Sequence, residues 1–432
     1  MPTVAFHTLG CKVNQYDTQA MLELFEAAGY TTVPFDGPAD VYVLNTCTVT
    51  GTGDKKSLQL ARRLKRLYPQ SHLILCGCLA QKKGADLLNT GASLIIGTQD
   101  RANVVTLLEQ ILRDGKPLSA VRPLDPKTPY EPLYITSQSE HTRATLKIQE
   151  GCNNFCTYCI IPSVRGPIRS RPLREICEEA ERLSLAGFSE LVLTGIHLSS
   201  YGKDLEDGTT LLDVLKMLQE IPGISRIRLG SLEPTVATEA FTEALRRLDK
   251  VCPQFHLALQ SGSDTVLRRM KRRYNTDMYR KAVENIRRVF PMAALTTDVL
   301  TGFPGETEAE YEETCRFVEE IGYARIHVFP YSPREDTPAA VMPGQLTREQ
   351  KENRARGLIE LGNRVAEGYL AQWEGLEASV LLEEETENGW EGYTPEYIRV
   401  SIPAGKDLTG GQTVRVRLSF VNDTRMNGII IE

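Results

Sequence analysis

The sequence has no apolar run near the ~20 residues that cross a bilayer, so no membrane association is expected. Its first residues, Met1-Pro2-Thr3-Val4-Ala5-Phe6-His7, hold neither a basic leader nor an apolar signal core, and a cytoplasmic location follows as an expectation. There thiols stay reduced, and clustered cysteines mean metal more often than disulfides. An excess of positive charge is also missing: the net charge is −6, which argues against indiscriminate nucleic-acid binding. The deficit is local, however. Residues 372–432 carry eleven acidic and five basic residues, leaving residues 1–371 formally neutral. An RNA substrate is therefore not excluded. With 432 residues, 41% hydrophobic and 25% charged, the chain can build two to four ordinary globular domains.

What is present in quantity is cysteine, ten in all. Three lie within eight residues, Cys152-Asn153-Asn154-Phe155-Cys156-Thr157-Tyr158-Cys159, spaced C-x3-C-x2-C. Thiolates are soft ligands for iron–sulfur clusters or zinc. Cluster motifs ordinarily supply four cysteines, and Ile160, Ile161, Pro162 and Ser163 offer no fourth. A cubane held by three keeps one iron open to a small chelating ligand. Zinc accepts the same thiolates with a fourth ligand such as His141, and chance clustering is the blandest alternative.

Residues 1–115 alternate β-rich and amphipathic runs, the pattern of a parallel α/β sheet. Strands are expected at Thr3–Thr8, Asp40–Asn45, His72–Cys76 and Leu94–Ile96. Helices are expected at Gln15–Ala28, Asp54–Tyr68 and Arg101–Arg113. Cys11, Cys47 and Cys78 each fall just beyond one of these strands, where such sheets bind ligands. They can hold a second cluster with an open iron, although a lone cysteine is more often a small buried residue. Cys76 reads as core, and Cys177, Cys252 and Cys315 as packing residues.

Residues 116–141, rich in proline, threonine and serine, read as a linker. Residues 142–370 then repeat strand and helix six times, with strands expected at Thr145–Gln149, Glu190–Thr194, Arg226–Gly230, His256–Leu259, Thr296–Leu300 and Arg325–Phe329. Six β/α units make a partial (β/α)6 barrel, with its chemistry at the C-terminal strand ends. The three-cysteine loop follows the first strand. Other strand ends carry Gly195, Ser231, Glu233 and Gln260, and the turn Gly302-Phe303-Pro304-Gly305-Glu306, whose glycines let backbone approach a ligand. Three basic stretches can track phosphates or be solvated faces: Arg165–Arg174, Arg268–Arg273 and Lys55–Arg66. From residue 371 the pattern becomes that of a small β-barrel, a fold that often binds oligonucleotides, here acidic.

The whole chain resembles the methylthiotransferase family of radical S-adenosylmethionine (SAM) enzymes, on six cysteines in matching contexts. That resemblance implies an α/β domain, a radical SAM barrel and a TRAM-like β-barrel. It implies a 4Fe-4S cluster on Cys152, Cys156 and Cys159 that cleaves SAM to a 5′-deoxyadenosyl radical. It also implies an auxiliary 4Fe-4S cluster on Cys11, Cys47 and Cys78, a platform for the inserted sulfur. SAM contacts are expected from Tyr158, Gly195, Ser231, Glu233, Gln260, Gly302, Pro304, Gly305 and Glu306, with no single acid–base residue. The contexts Gly10-Cys11-Lys12-Val13-Asn14 and Asn45-Thr46-Cys47-Thr48-Val49-Thr50 are similar to the branch acting on N6-threonylcarbamoyladenosine beside the tRNA anticodon. The implied partners are a tRNA anticodon stem-loop and a reductant such as flavodoxin or ferredoxin. Arg165, Arg169 and Arg171 are expected to meet the substrate, Arg169 pairing with its carboxylate; an internal salt bridge is the alternative. Enzymes acting on a ribosomal-protein aspartate or isopentenyl-adenosine tRNA, and a non-catalytic iron–sulfur or zinc RNA sensor, remain rival readings.

Overall fold

The structure, a computed structural model, describes residues 1–138, 142–405, 408–421 and 425–431; His141 lies outside them. The first sheet has six parallel strands in the order β2-β1-β3-β4-β5-β6. They are β1 (Thr3–Thr8), β2 (Thr31–Thr32), β3 (Val41–Thr46), β4 (His72–Gly77), β5 (Leu94–Ile95) and β6 (Leu118–Ser119). Helices α1 (Lys12–Ala27), α2 (Gly51–Leu67), a short α3 (Cys78–Lys83) and α4 (Val104–Asp114) connect them. β3 is buried along its whole length. Val41 and Val43 face the core shared with α1 and α4, while Tyr42 and Leu44 face Ala61 and Leu64 of α2. Burial on both faces is what an all-parallel sheet requires. In α2 the Thr50 hydroxyl accepts from the Gly53 amide at 3.1 Å, a cap worth about 1 kcal/mol. Two strands escape sequence reading. β2 is two exposed threonines, and β6 lies inside the stretch expected to be a linker.

The second unit is the open barrel. β7 (Arg143–Glu150), a short antiparallel β8 (Arg169–Ser170), β9 (Glu190–Gly195) and β10 (Arg226–Leu229) form one sheet. β11 (Gln254–His256), β12 (Ala294–Thr301) and β13 (Arg325–Pro330) form the next. Parallel bridges Ile227↔Val251 and Leu232↔Leu257 join the two. Helices α5 (Ile161–Arg165), α6 (Leu173–Leu185), α7 (Leu211–Gln219), α8 (Glu239–Leu245), α9 (Asp264–Arg269), α10 (Thr276–Val289) and α11 (Glu308–Ile321) intervene. Alternation along β7 explains the two surfaces of the barrel wall. Ala144, Leu146 and Ile148 join the core with Ile176, Ala180 and Leu183 of α6. Arg143, Thr145, Lys147 and Gln149 face the other way.

α12 (Arg348–Ala371) crosses from β13 to the last unit, a closed barrel ordered β14-β15-β16-β18-β17. Its strands are β14 (Glu377–Thr386), β15 (Gly389–Tyr393), β16 (Arg399–Pro403), β17 (Thr413–Val421) and β18 (Arg425–Ile430). Sequence reading missed β15, whose glycines and glutamate lack β-propensity. This barrel docks under the N-terminal ends of the β/α strands. Arg226 donates to the carbonyls of Tyr393 and Ser379 at 3.0 Å, Arg228 to that of Pro395 at 2.8 Å, and Arg143 pairs with Glu383 at 2.8 Å. Part of its acidity is thus spent on arginines of the barrel floor. No helix among the described residues is long and apolar enough to cross a membrane.

Candidate metal-cluster site

Cys11, Cys47 and Cys78 stand at the carboxyl ends of the neighbouring strands β1, β3 and β4. Cys11 is the N-cap of α1 and Cys78 opens α3. Glycines make this possible. Gly10, at φ 112°, approaches Cys47 so closely that an added Cβ would lie 3.1 Å from its sulfur and 2.9 Å from its Cβ. Gly77, at φ 90°, would drive a Cβ to 2.3 Å from the Asn45 carboxamide. Neither position tolerates a side chain.

Cys152, Cys156 and Cys159 sit on the loop after β7. The loop is pinned on both sides. Thr157 donates its amide to Met270 O at 3.1 Å and its hydroxyl to Arg269 O at 3.0 Å, and its carbonyl accepts from Ala339 at 2.9 Å. Asn154, His197, Glu233 and Arg272 form a polar cage beside it. Asn154 donates to Glu233 at 2.9 Å, and Arg272 pairs with the same oxygen at 2.9 Å. Burial works against its charge, but His197 and Arg272 prevail and hold Glu233 below the usual carboxylate range.

The two trios meet. Cys78 packs against Ile160 and Val164, just beyond Cys159, and Thr98 donates to Val164 O at 2.7 Å. Arg334, beyond β13, reaches Thr48 at 2.7 Å, next to Cys47. One guanidinium serves each trio: Arg165 Nε donates to Cys78 Sγ at 3.2 Å, and Arg272 Nη1 to Cys156 Sγ at 3.1 Å. Burial pushes the Cys78 thiol up to about 11 and Cys159 up to about 12. Uncharged, these thiols are poor nucleophiles; a metal would displace their protons. Among the described residues no group of three His, Cys, Asp or Glu is set to hold a single metal ion. A cubane gives each cysteine its own iron, so its three thiolates need not meet at one point. All-thiolate trios with cationic N–H donors aimed at sulfur fit iron–sulfur clusters.

A buried ion network locks the first sheet to the barrel. Asp17 of α1 receives Arg101, Lys147 at 2.7 Å and Arg165 at 3.2 Å. Glu150 receives Lys147 at 2.5 Å and Arg165 at 2.8 Å. Asp17, Arg101, Lys147 and Glu150 were not singled out from sequence; a lysine and a glutamate within a buried strand were the available signal. Arg165 and Arg171, expected at the substrate, are instead fully buried. Arg165 is committed to Asp17, Glu150, Asn14 and Cys78, and Arg171 pairs with Glu179 at 2.5 Å. Arg169 is 5% exposed. It donates to Arg165 O at 3.0 Å, and its Nε and Nη1 have no hydrogen-bond partner among the described residues. It lines a cleft of about 670 Å³ beneath residues 122–132, whose walls include none of the six cysteines.

The expected SAM contacts gather at the strand ends. Tyr158 packs edge-on to Phe303 at 6.5 Å. Gly195 abuts Gln149, Ser231 is exposed, and Gln260 takes a left-handed φ of 67°. Glu306 is occupied within its own turn, accepting from the Gly302 amide at 2.8 Å and from Arg354 at 2.7 Å; Pro304 and Gly305 complete that turn. Cys76 is core, as expected. Cys177 and Cys315 lie on α6 and α11, and Cys252 is buried before β11.

A cysteine trio on the first loop of an open β/α barrel defines a radical SAM enzyme, and the Radical SAM superfamily profile matches residues 146–318. Residues 3–97 match Uncharacterized protein family UPF0004. Threonylcarbamoyladenosine tRNA methylthiotransferase MtaB of Bacillus subtilis (strain 168) is 42% identical over 97% of this chain and 94% of its own. The tRNA-2-methylthio-N(6)-dimethylallyladenosine synthase of Moorella thermoacetica is 34% identical over 98% and 97%. The chain belongs to the radical SAM methylthiotransferase family. Membership brings SAM and a 4Fe-4S cluster as cofactors. Among solved structures, the radical SAM methyltransferase TsrM from Kitasatospora setae shares the fold, with a TM-score of 0.58 at 12% identity over 79% of this chain and 74% of that one.

The guanidinium–sulfur contacts carry a prediction. A cationic donor on a cluster sulfur favours the reduced, more negative state. Arg272→Gln is expected to lower the potential of the cluster on Cys152, Cys156 and Cys159 by about 59 mV, a tenfold shift for one electron. Any cluster on Cys11, Cys47 and Cys78 should move far less. Redox titration followed by electron paramagnetic resonance measures both.

Proposed function

We propose that the chain methylthiolates N6-threonylcarbamoyladenosine at tRNA position 37, giving 2-methylthio-N6-threonylcarbamoyladenosine, with one cluster on each cysteine trio. The observation that carries this is the packing of Cys78 against Ile160, the residue after Cys159, with Arg165 donating to the Cys78 sulfur. When bound, SAM and the two clusters supply the radical, the methyl group and the sulfur that carbon–sulfur bond formation at an unactivated carbon needs. The protein holds the two centres at one mouth. The β7-loop anchors fix Cys152, Cys156 and Cys159, the sheet edge fixes Cys11, Cys47 and Cys78, and the Asp17 network joins the first sheet to the barrel. The name of the Bacillus subtilis relative supports the threonylcarbamoyl substrate, and the Moorella thermoacetica name supports an isopentenyl one. A ribosomal-protein aspartate is a further alternative.

The anticodon stem-loop is the partner, with flavodoxin or ferredoxin as reductant. Solvent-facing Lys55, Lys56, Arg62, Arg63 and Arg66 on α2, and Arg268, Lys271 and Arg273 near the mouth, suit its phosphates. Nucleoside analysis of bulk tRNA from a deletion strain tests the reading. The methylthio-threonylcarbamoyl nucleoside should vanish and return with the gene. Its persistence, or loss of a methylthio-isopentenyl nucleoside instead, would refute the assignment.

A further inference from the structure

Lys12 is the first residue of α1, next to Cys11. It makes no hydrogen bond or ion pair with any described residue. With Gln15, Arg143, Thr145, Val192, Tyr393 and Tyr397 it lines a cavity of about 470 Å³ between α1, the barrel lumen and the C-terminal barrel. Solvent reaches this side chain, while the barrel wall and the C-terminal barrel close round the cavity it lines. A cation in such surroundings gains more from an anionic partner than one at an open surface.

The inner end of the cavity sets a tyrosine beside two arginines. Tyr397, in the turn between β15 and β16, takes a left-handed φ of 65°, a conformation that costs a tyrosine about 1–3 kcal/mol. That turn places its ring 5.2 Å from the Arg143 guanidinium and 4.8 Å from that of Arg228. Burial alone would raise its hydroxyl, but Arg143, Lys12 and Arg228 bring it below the usual phenol range. Other described tyrosines with a shifted hydroxyl, Tyr16, Tyr130, Tyr158 and Tyr393 among them, are raised. The acids in the same walls are mostly matched already. Glu383 pairs with Arg143 at 2.8 Å, Glu391 with Arg399 and Arg425, and Glu384 is exposed.

We propose that this cavity is a subsite for a carboxylate-ended substituent on the substrate base, with the Lys12 ammonium and the Tyr397 hydroxyl as its donors. The proposal rests on the threonylcarbamoyl reading above and deepens it by naming the groups that read the carboxylate. Two features complement the anion: the charge-assisted bond from Lys12 and the N-terminal end of α1. An apolar isopentenyl group would give the Lys12 ammonium and the Tyr397 O–H no acceptor, which is how polar sites reject apolar analogues. Through Tyr397, the acidic C-terminal barrel becomes part of substrate selection.

The test measures affinities of the reconstituted enzyme, by fluorescence anisotropy, for two anticodon stem-loop RNAs. One carries threonylcarbamoyladenosine and the other unmodified adenosine. The ratio of the two affinities isolates the substituent, because general damage cancels. Lys12→Gln should reduce the ratio about 10- to 100-fold, the worth of a charged hydrogen bond. Tyr397→Phe should reduce it less, and Lys12→Arg should restore part of it. An unchanged ratio in Lys12→Gln, or a collapse in Arg169→Ala alone, would overturn the proposal. Wild-type enzyme that shows no preference between the RNAs and makes no methylthio product would instead sink the threonylcarbamoyl reading itself, and the subsite with it.

Discussion

Replacing Cys11, Cys47 and Cys78 together by alanine should leave an enzyme that still forms 5′-deoxyadenosine from SAM and dithionite but makes no methylthiolated RNA. Replacing Cys152, Cys156 and Cys159 should abolish both. The asymmetry follows from geometry. The first trio is built on the edge of the β1-β3-β4 sheet. The second is built on the β7 loop, pinned by Met270, Arg269 and Ala339, and none of those anchors comes from the first sheet. Loss of one cysteine trio therefore leaves the anchors of the other in place. 5′-Deoxyadenosine and methylthio nucleoside, quantified by mass spectrometry from the same reactions, separate the two roles. If the Cys11, Cys47 and Cys78 variant still made product, the auxiliary site would have no part in sulfur insertion.

The second large effect is structural. Asp17→Ala should destabilise the protein by about 3–5 kcal/mol, the usual result of removing one partner from a buried ion network. Asp17 is fully buried, and its loss leaves Arg101, Lys147 and Arg165 sharing Glu150 and Glu131. Asp17→Asn should cost less, because an amide oxygen still accepts. The same network confers acid sensitivity. Against burial, Arg165, Lys147 and Arg101 hold Glu150 well below the usual glutamate range. A depressed carboxyl contributes stability that is fully present above the ordinary glutamate value and is lost as pH falls through the depressed one. Denaturant midpoints of wild type and Asp17→Ala at neutral pH check the magnitude. A change below 1 kcal/mol would mean the network is not what joins the sheet to the barrel.

The fold was legible where local pattern decides it. Thr3–Thr8 and His72–Gly77 announce themselves through short apolar runs, and Glu308–Ile321 through its Thr307–Glu310 capping box. β6 and β15 did not, because pairing rather than propensity makes them strands: Leu118 is set by Leu94, and Trp390 by Ile402 and Glu385. The placement of the six cysteines was legible because it follows from spacing and from where strands end. The arginines were not. Arg165 and Arg171 read as a basic surface run, yet their partners Asp17 and Glu179 come from other elements, and Asp17 lies 148 residues from Arg165. Nothing within a window of sequence distinguishes a guanidinium that meets phosphate from one that holds two domains together. Lys12 escaped for a related reason. Only the docking of the C-terminal barrel under the β/α strands turns a residue beside Cys11 into the wall of a cavity.

The most direct measurement is iron and sulfide content, with Mössbauer spectra, of the anaerobically purified chain and its two triple-cysteine variants. Two cubanes require about eight irons and eight sulfides per wild-type chain, and about four of each in either variant. Zinc in place of iron, or an iron content unchanged by loss of Cys11, Cys47 and Cys78, would contradict the account.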